Sequence, residues 1–133
     1  MLELRFLLDT HIVVRWLSEP RRLTREQKRA LEVTVHRGSQ VAVSAMSLLE
    51  IAALFGKDRL AGSMTAIFEK LETDPVFVLL PITLEIATEV ATMGGTLSDP
   101  ADRAIVATAR VHRLRLVTSD QRIIESKLVS VVD

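Results

Sequence analysis

Five acidic residues interrupt apolar stretches of this chain: Asp9, Glu50, Asp99, Asp102 and Asp120. Asp9 ends the run Leu4 to Leu8, and Asp120 ends Leu116-Val-Thr-Ser-Asp120. Asp99 and Asp102 stand at the head of a small-residue apolar segment, and Glu50 lies within Ser47-Leu-Leu-Glu-Ile-Ala-Ala. An ionised carboxylate among apolar neighbours needs a partner, commonly a cation. Several carboxylates on one rim repel one another unless a divalent ion neutralises them. Oxygen-only donors suit Mg²⁺ or Mn²⁺, and an incomplete protein shell leaves room for water and phosphate oxygens. The chemistry within reach of such a cluster is metal-assisted hydrolysis of a phosphodiester.

Each acid also has a structural reading. Asp9 and Asp99 could be helix N-caps, Asp99 with Pro100 at the first helical position. Ser47-x-x-Glu50 matches a capping box. Asp102 could answer a helix dipole or pair with Arg103 or Arg122. Asp120 could serve a turn or cap. These readings account for the acids one at a time but not for their gathering on one rim.

The elements that would gather them follow from the apolar pattern. Leu4–Leu8, Val41–Val43, Val76–Leu80, Leu114–Thr118 and Leu128–Val132 read as short strands. Ile12, Val13, Trp16 and Leu17 make one helix face, stopped by Ser18-Glu19-Pro20. Thr24-Arg-Glu-Gln27 is a capping box opening a polar helix that should end at Gly38. Met46–Phe55 reads as an apolar helix closed by Gly56, with a further helix capped by Ser63 and running to about Asp74. Ile86, Val90, Met93 and Leu97 form one buried helical stripe, and Gly94-Gly95 reads as a helix end. Ala101–Val111 is small and apolar enough to be sandwiched against a sheet.

Strands alternating with helices give an α/β class of three α/β/α layers, around a short, mainly parallel sheet of four to five strands. In such sheets ligands bind beyond the carboxyl ends of the strands, where Asp9 and Asp120 fall. The 133 residues suit one domain, residues 1–133, with no repeat or linker.

Composition narrows the partners. Lys+Arg and Asp+Glu number 17 each, so no net charge advertises a nucleic acid or membrane. The charge is nevertheless unevenly spread. Arg21–Arg37 holds six basic and two acidic residues, while Glu69–Asp102 holds seven acids against one lysine. Arg103–Arg115 holds four arginines and no acid. That pattern allows a polyanion to be gripped while metal sits at the scissile bond, although the Arg21–Arg37 stretch could equally be a solvated helix face. With one Trp and no Tyr, stacking platforms are scarce, so binding should lean on phosphates or RNA shape.

The absence of cysteine excludes disulfides and thiolate zinc and fits a reducing cytoplasm. The longest uncharged run, Gly38–Leu49, is twelve residues, short of the roughly 20 a membrane span needs. His11, His36 and His112 lack zinc spacing, and His11 reads as a supporting residue beside Asp9 or a substrate contact. A receiver domain would want an early acid pair and a late lysine. A haloacid-dehalogenase-like phosphatase would want an acid at position 11. This chain has neither arrangement.

Four segments together resemble the PIN domain, and in particular the VapC-like toxins of type II toxin–antitoxin systems. They are Phe6-Leu-Leu-Asp-Thr-His11, Ser47-Leu-Leu-Glu-Ile-Ala52, Asp99-Pro-Ala-Asp-Arg-Ala-Ile-Val-Ala107 and Leu116-Val-Thr-Ser-Asp120. The resemblance implies an Mg²⁺- or Mn²⁺-dependent endoribonuclease, usually homodimeric, held inactive by a VapB-like antitoxin whose C-terminal segment wraps the toxin groove. It maps the family's acids onto Asp9, Glu50 and Asp102, with a more variable fourth at Asp120 and an assisting acid at Asp99. Thr118 matches a hydroxyl position near the metal, and Thr10 the residue after the first acid. Arg103 is an expected RNA contact, with Arg22, Arg25 and Arg122. The alternative is a PIN-like module that binds RNA or protein without cutting.

Overall fold

Alternation within the strands decides how the layers are built. The computed structural model describes residues 3–56 and 61–133. Strands β1 (Leu4–Leu8), β2 (Gln40–Ser44), β3 (Phe77–Leu80), β4 (Arg115–Val117) and β5 (Val131–Val132) form one sheet in the order β3-β2-β1-β4-β5. Every pairing is parallel. Successive side chains point to opposite faces, so neighbours in sequence enter different cores. Leu8, Val43 and Val117 enter one, while Leu7, Ala42 and Leu116 enter the other.

The first core is closed by α1 (Thr10–Ser18), α2 (Arg25–His36), α3 (Ala45–Phe55) and α4 (Ala61–Thr73), through Ile12, Val13, Leu31, Ile51, Phe55, Ile67 and Leu71. Trp16 packs there edge-on to Phe77, with ring centroids 5.6 Å apart. The second core is closed by α5 (Leu84–Thr92), α6 (Pro100–His112) and α7 (Gln121–Ser126), through Ile86, Ile105, Val106, Ala109 and Ile123. This is the expected three-layer α/β/α arrangement, and its sheet is wholly parallel.

The connections reverse across β1. The chain leaves β1 through α1 and α2 to reach β2, and arrives at β4 through α5 and α6 on the other face. Leu8 lies opposite Val117 in the register, so the crevice of the topological switch opens between Asp9 and Thr118.

Some element limits differ from expectation. Leu97 lies beyond α5, which stops at Thr92; Gly94, at φ +65°, turns the chain and still lets Leu97 bury its side chain. Ser63 lies inside α4 rather than ahead of it. The last strand is two residues, not five, because the chain leaves α7 through a left-handed turn at Lys127 and bends at Leu128 and Val129 before it pairs. That helix spans six residues with Ile123 as its one buried residue, too little for a periodic signal.

Candidate active site

Asp9, Thr10, His11, Glu50, Asp99, Asp102, Asp120 and Arg122 line a cleft of about 420 Å³ at the carboxyl ends of the strands, with Ala53 and Leu54. All five acids anticipated from sequence therefore reach one cavity. Three of them are also helix N-caps. Asp9 Oδ1 accepts from the Thr10 N–H (2.9 Å), Asp99 Oδ1 from Ala101 and Asp102 (2.8 and 3.2 Å), and Asp120 Oδ1 from Arg122 (2.9 Å). Capping and site-lining are thus one arrangement. The amino ends of α1, α6 and α7 turn toward the cleft, and their partial positive charge offsets some of the carboxylate repulsion.

Glu50 contradicts its capping-box reading. The N-cap of α3 is Ser44, whose Oγ accepts from Met46 N–H at 3.0 Å, which places Ser47 and Glu50 inside the helix. Instead Thr10 Oγ1 donates to Glu50 Oε1 at 2.5 Å, and the buried Ser47 hydroxyl lies 2.9 Å from Thr10 Oγ1. Thr10 has one hydroxyl proton, committed to Glu50, so Ser47 is the donor to Thr10. Ser47 was legible only as part of the false cap. Its placement one helical turn before Glu50 is the signal that could have identified it.

Thr118 joins the acids of β1 and β4. Its hydroxyl donates to Asp9 Oδ2 (2.7 Å) and accepts the Asp120 N–H (3.0 Å). His11 Nε2 accepts the Ser119 N–H at 2.9 Å, which leaves Nδ1 to carry the proton facing Asp9 Oδ2, 3.5 Å away. Burial lowers the His11 pKa, assisted by Arg15 and Arg22 against the opposing pull of Asp9 and Asp120, so the neutral ring is favoured.

The electrostatics of the acids follow from burial and crowding. Asp102 is pushed up to about 7, first by burial and then by Asp99, Asp120 and Asp9, with Arg122 opposing. Glu50 is raised by burial, and by Asp9 and Asp99, against the lowering bond from Thr10. Burial would raise Asp120 too, but the hydrogen bonds and charge of Arg122 outweigh it and hold the group low. Arg122 straddles the rim, with Nη2 3.1 Å from Asp120 Oδ2 and 3.4 Å from Asp102 Oδ2, while remaining 68% exposed.

Among the described residues, no three acidic or histidine side chains form a ready-made chelating cage. The donor chemistry nevertheless fits a hard divalent ion. The cleft offers carboxylate oxygens, burial and mutual repulsion raise Asp102 and Glu50, and an exposed guanidinium is the cation beside Asp102 and Asp120. Mg²⁺ and Mn²⁺ keep several waters and are content with a few protein carboxylates.

Arg103 corrects an expectation. Its guanidinium donates to the carbonyls of Gly94 and Leu97 (2.6 Å each) and Val90 (2.8 Å), tying the α5–α6 loop to α6 rather than facing the cleft. Hydrogen bonds from a charged donor are worth about 1.5–3 kcal/mol each. One of the three bonds is exposed and the others are only half-buried, so Arg103→Met should lower unfolding free energy by about 3 kcal/mol, less than the full sum. Denaturant titration checks this, with activity per folded molecule unchanged. No described helix is long and apolar enough to cross a membrane.

Comparisons with known proteins bear on the family and the fold. The PIN domain family model matches residues 6–127. Ribonuclease VapC22 of Mycobacterium tuberculosis is 35% identical over 118 residues, covering 88% of each chain. A toxin–antitoxin complex from Klebsiella pneumoniae superposes with TM-score 0.62 at 25% identity, over 96% of this chain and 95% of that one. VapBC2 from Rickettsia felis, bound to a promoter DNA fragment, gives TM-score 0.75 at 13% identity over 97% of each chain, a likeness of fold alone. With five acids in one cleft at the switch point of a parallel sheet, this chain belongs to the PIN domain family, in its VapC-like branch.

Proposed function

We propose that the protein is an Mg²⁺- or Mn²⁺-dependent endoribonuclease, the toxin of a toxin–antitoxin module working in the cytoplasm. The observation that carries this is the shared cleft of Asp9, Glu50, Asp99, Asp102 and Asp120. It is supported by 35% identity to a ribonuclease over most of the chain. The chemistry a bound divalent ion supplies is activation of the attacking water and neutralisation of charge on the leaving oxygen.

The residues divide the remaining work. Asp9, Glu50 and Asp102 hold the ion, and Asp120 and Asp99 complete its surroundings or position water. Thr10 fixes the Glu50 carboxylate, and Thr118 fixes Asp9. Arg122 gives up its carboxylate partners to pair with the RNA phosphate when substrate enters, a movement its exposure permits. His11, neutral and committed to Ser119, supports the loop carrying Asp120.

A VapB-like antitoxin is the proposed partner, its C-terminal segment laid in the same cleft, and the toxin works as a homodimer. The likeness to a toxin–antitoxin complex from Klebsiella pneumoniae supports the antitoxin partner.

The test is a gel of a mixed structured RNA pool cut by antitoxin-free protein, with Mn²⁺, with EDTA, and with Asp9→Asn. Metal-dependent cuts at defined sites, lost in the variant, are expected. An uncut pool from a protein that also fails to bind Mn²⁺ would mark a binding module instead.

A further inference from the structure

We infer that Gln27 is a positioning residue for the acidic cleft, holding from the start of α2 the loop on which Asp120 stands. Gln27 is wholly buried. Its Oε1 accepts the Thr24 N–H at 3.0 Å, and its Nε2 donates to Ser119 Oγ at 2.8 Å and the Thr118 carbonyl at 3.3 Å. The capping box uses only the carbonyl oxygen, which a glutamate would supply as well. What glutamine adds is the amino group, and both its protons are spent on residues 91 and 92 positions away in sequence.

The loop is gripped from a second direction by His11, whose Nε2 accepts the Ser119 N–H. Thr118 and Ser119 are therefore fixed by α2 on one side and α1 on the other. The Thr118 hydroxyl, aimed by that backbone, makes the bonds to Asp9 and to the Asp120 N–H. A shift of the loop would move Asp120 relative to Asp9, and supporting contacts of this kind set how well a carboxylate pair holds an ion. A buried amino group without partners is costly, so the contact is maintained whether or not an ion is bound. The effect on metal rests on the proposed cation site; the grip on the loop does not.

The experiment compares Gln27→Met with Thr24→Ala. Gln27→Met keeps length and apolar bulk but loses both amino-group bonds, together with the cap bond from Thr24 N–H. Thr24→Ala removes the opposite half of the capping box, the 3.2 Å bond from Gln27 N–H to Thr24 Oγ1, with the hydroxyl's exposed bond to the Asp133 carbonyl, and leaves the amino group in place. Amide hydrogen exchange of the metal-free protein should quicken at Ser119 and Asp120 by about tenfold in Gln27→Met. Thr24→Ala should leave those two amides unchanged. In Mn²⁺ titrations, the half-saturating concentration should rise by about tenfold in Gln27→Met but not in Thr24→Ala. In an Asp120→Asn background that rise should shrink, because the acid carried by the loop is no longer there to be misplaced.

Unchanged exchange at Ser119 and Asp120, or the same acceleration in Thr24→Ala, would overturn the inference. Should Gln27→Met fail to fold, Ser119→Ala removes one end of the clamp without touching the cap, and must itself quicken exchange at Asp120. If the wild type binds no Mn²⁺, the cation-site reading fails while the exchange comparison still decides the clamp.

Discussion

Asp9→Asn and Asp102→Asn should each lower RNA cleavage by more than about 100-fold while leaving the protein folded. Loss of a group that merely supports a metal ligand costs 10–100-fold, so loss of a ligand carboxylate should cost more. Folding should survive because the local bonds can be remade. In Asp9→Asn the Oδ1 that accepts from Thr10 N–H is kept, and the new amide can donate to Thr118 Oγ1, reversing the present bond. Asp102 makes no cap bond of its own, and among the described residues its side chain pairs only with the exposed Arg122. Single-turnover cleavage in Mn²⁺, with circular dichroism of each variant, checks this. Full activity in both would remove the assignment.

The second large effect concerns stability and has a defined sign. Burial and the neighbouring carboxylates push the Asp102 carboxyl up to about 7 in the folded chain, while an aspartate in the unfolded chain titrates at about 3.9. Between those values the folded state binds a proton at Asp102 that the unfolded state has released, so folding stability falls as pH rises through the window. Above about pH 7 the loss is complete. Asp102→Asn carries no such proton. In chelator it should already melt slightly above the wild type near pH 5, and by a wider margin near pH 8.

His11 has the opposite sign, because its lowered pKa makes stability fall as pH drops below 6.5. It is present in both proteins and largely cancels in the difference. Mn²⁺ should narrow the wild-type deficit at pH 8, stabilising the wild type by about 2.7 kcal/mol at a hundredfold excess over its dissociation constant and the variant, binding at least tenfold more weakly, by no more than about 1.4 kcal/mol. Melting curves at the two pH values, with and without Mn²⁺, check the pattern. A wild type more stable than the variant in chelator at pH 8 would contradict it. A variant that is inactive yet more stable separates the needs of the site from the needs of the fold.

The sheet was legible because its strands are short apolar runs punctuated by polar ends, as in Leu4–Leu8 before Asp9. Two-sided burial accounts for that pattern: Leu7 and Leu8 are both fully buried, on opposite faces. The acids were legible for the complementary reason, since each breaks an apolar pattern and capping alone does not account for their gathering on one rim. Less visible was that Asp9, Asp99 and Asp120 cap helices as well as line the cleft, because one-dimensional reading treats those roles as rivals.

Arg103 misled because charge is visible in sequence while the carbonyls that absorb it are not. Its three acceptors are created by the turn after α5. Gln27 was read correctly as a capping-box member, yet its amino group reaches Thr118 and Ser119, a contact that exists only after the sheet has closed. Helix α7 was too short to declare itself.

The central claim is that these carboxylates hold a divalent ion. Its most direct test is calorimetric titration of Mn²⁺ into metal-free protein at pH 8, with Asp9→Asn and Asp102→Asn alongside. Saturable binding by the wild type, weakened by more than about tenfold in both variants, is the predicted result. Equal binding by all three proteins, or none by the wild type, would contradict it.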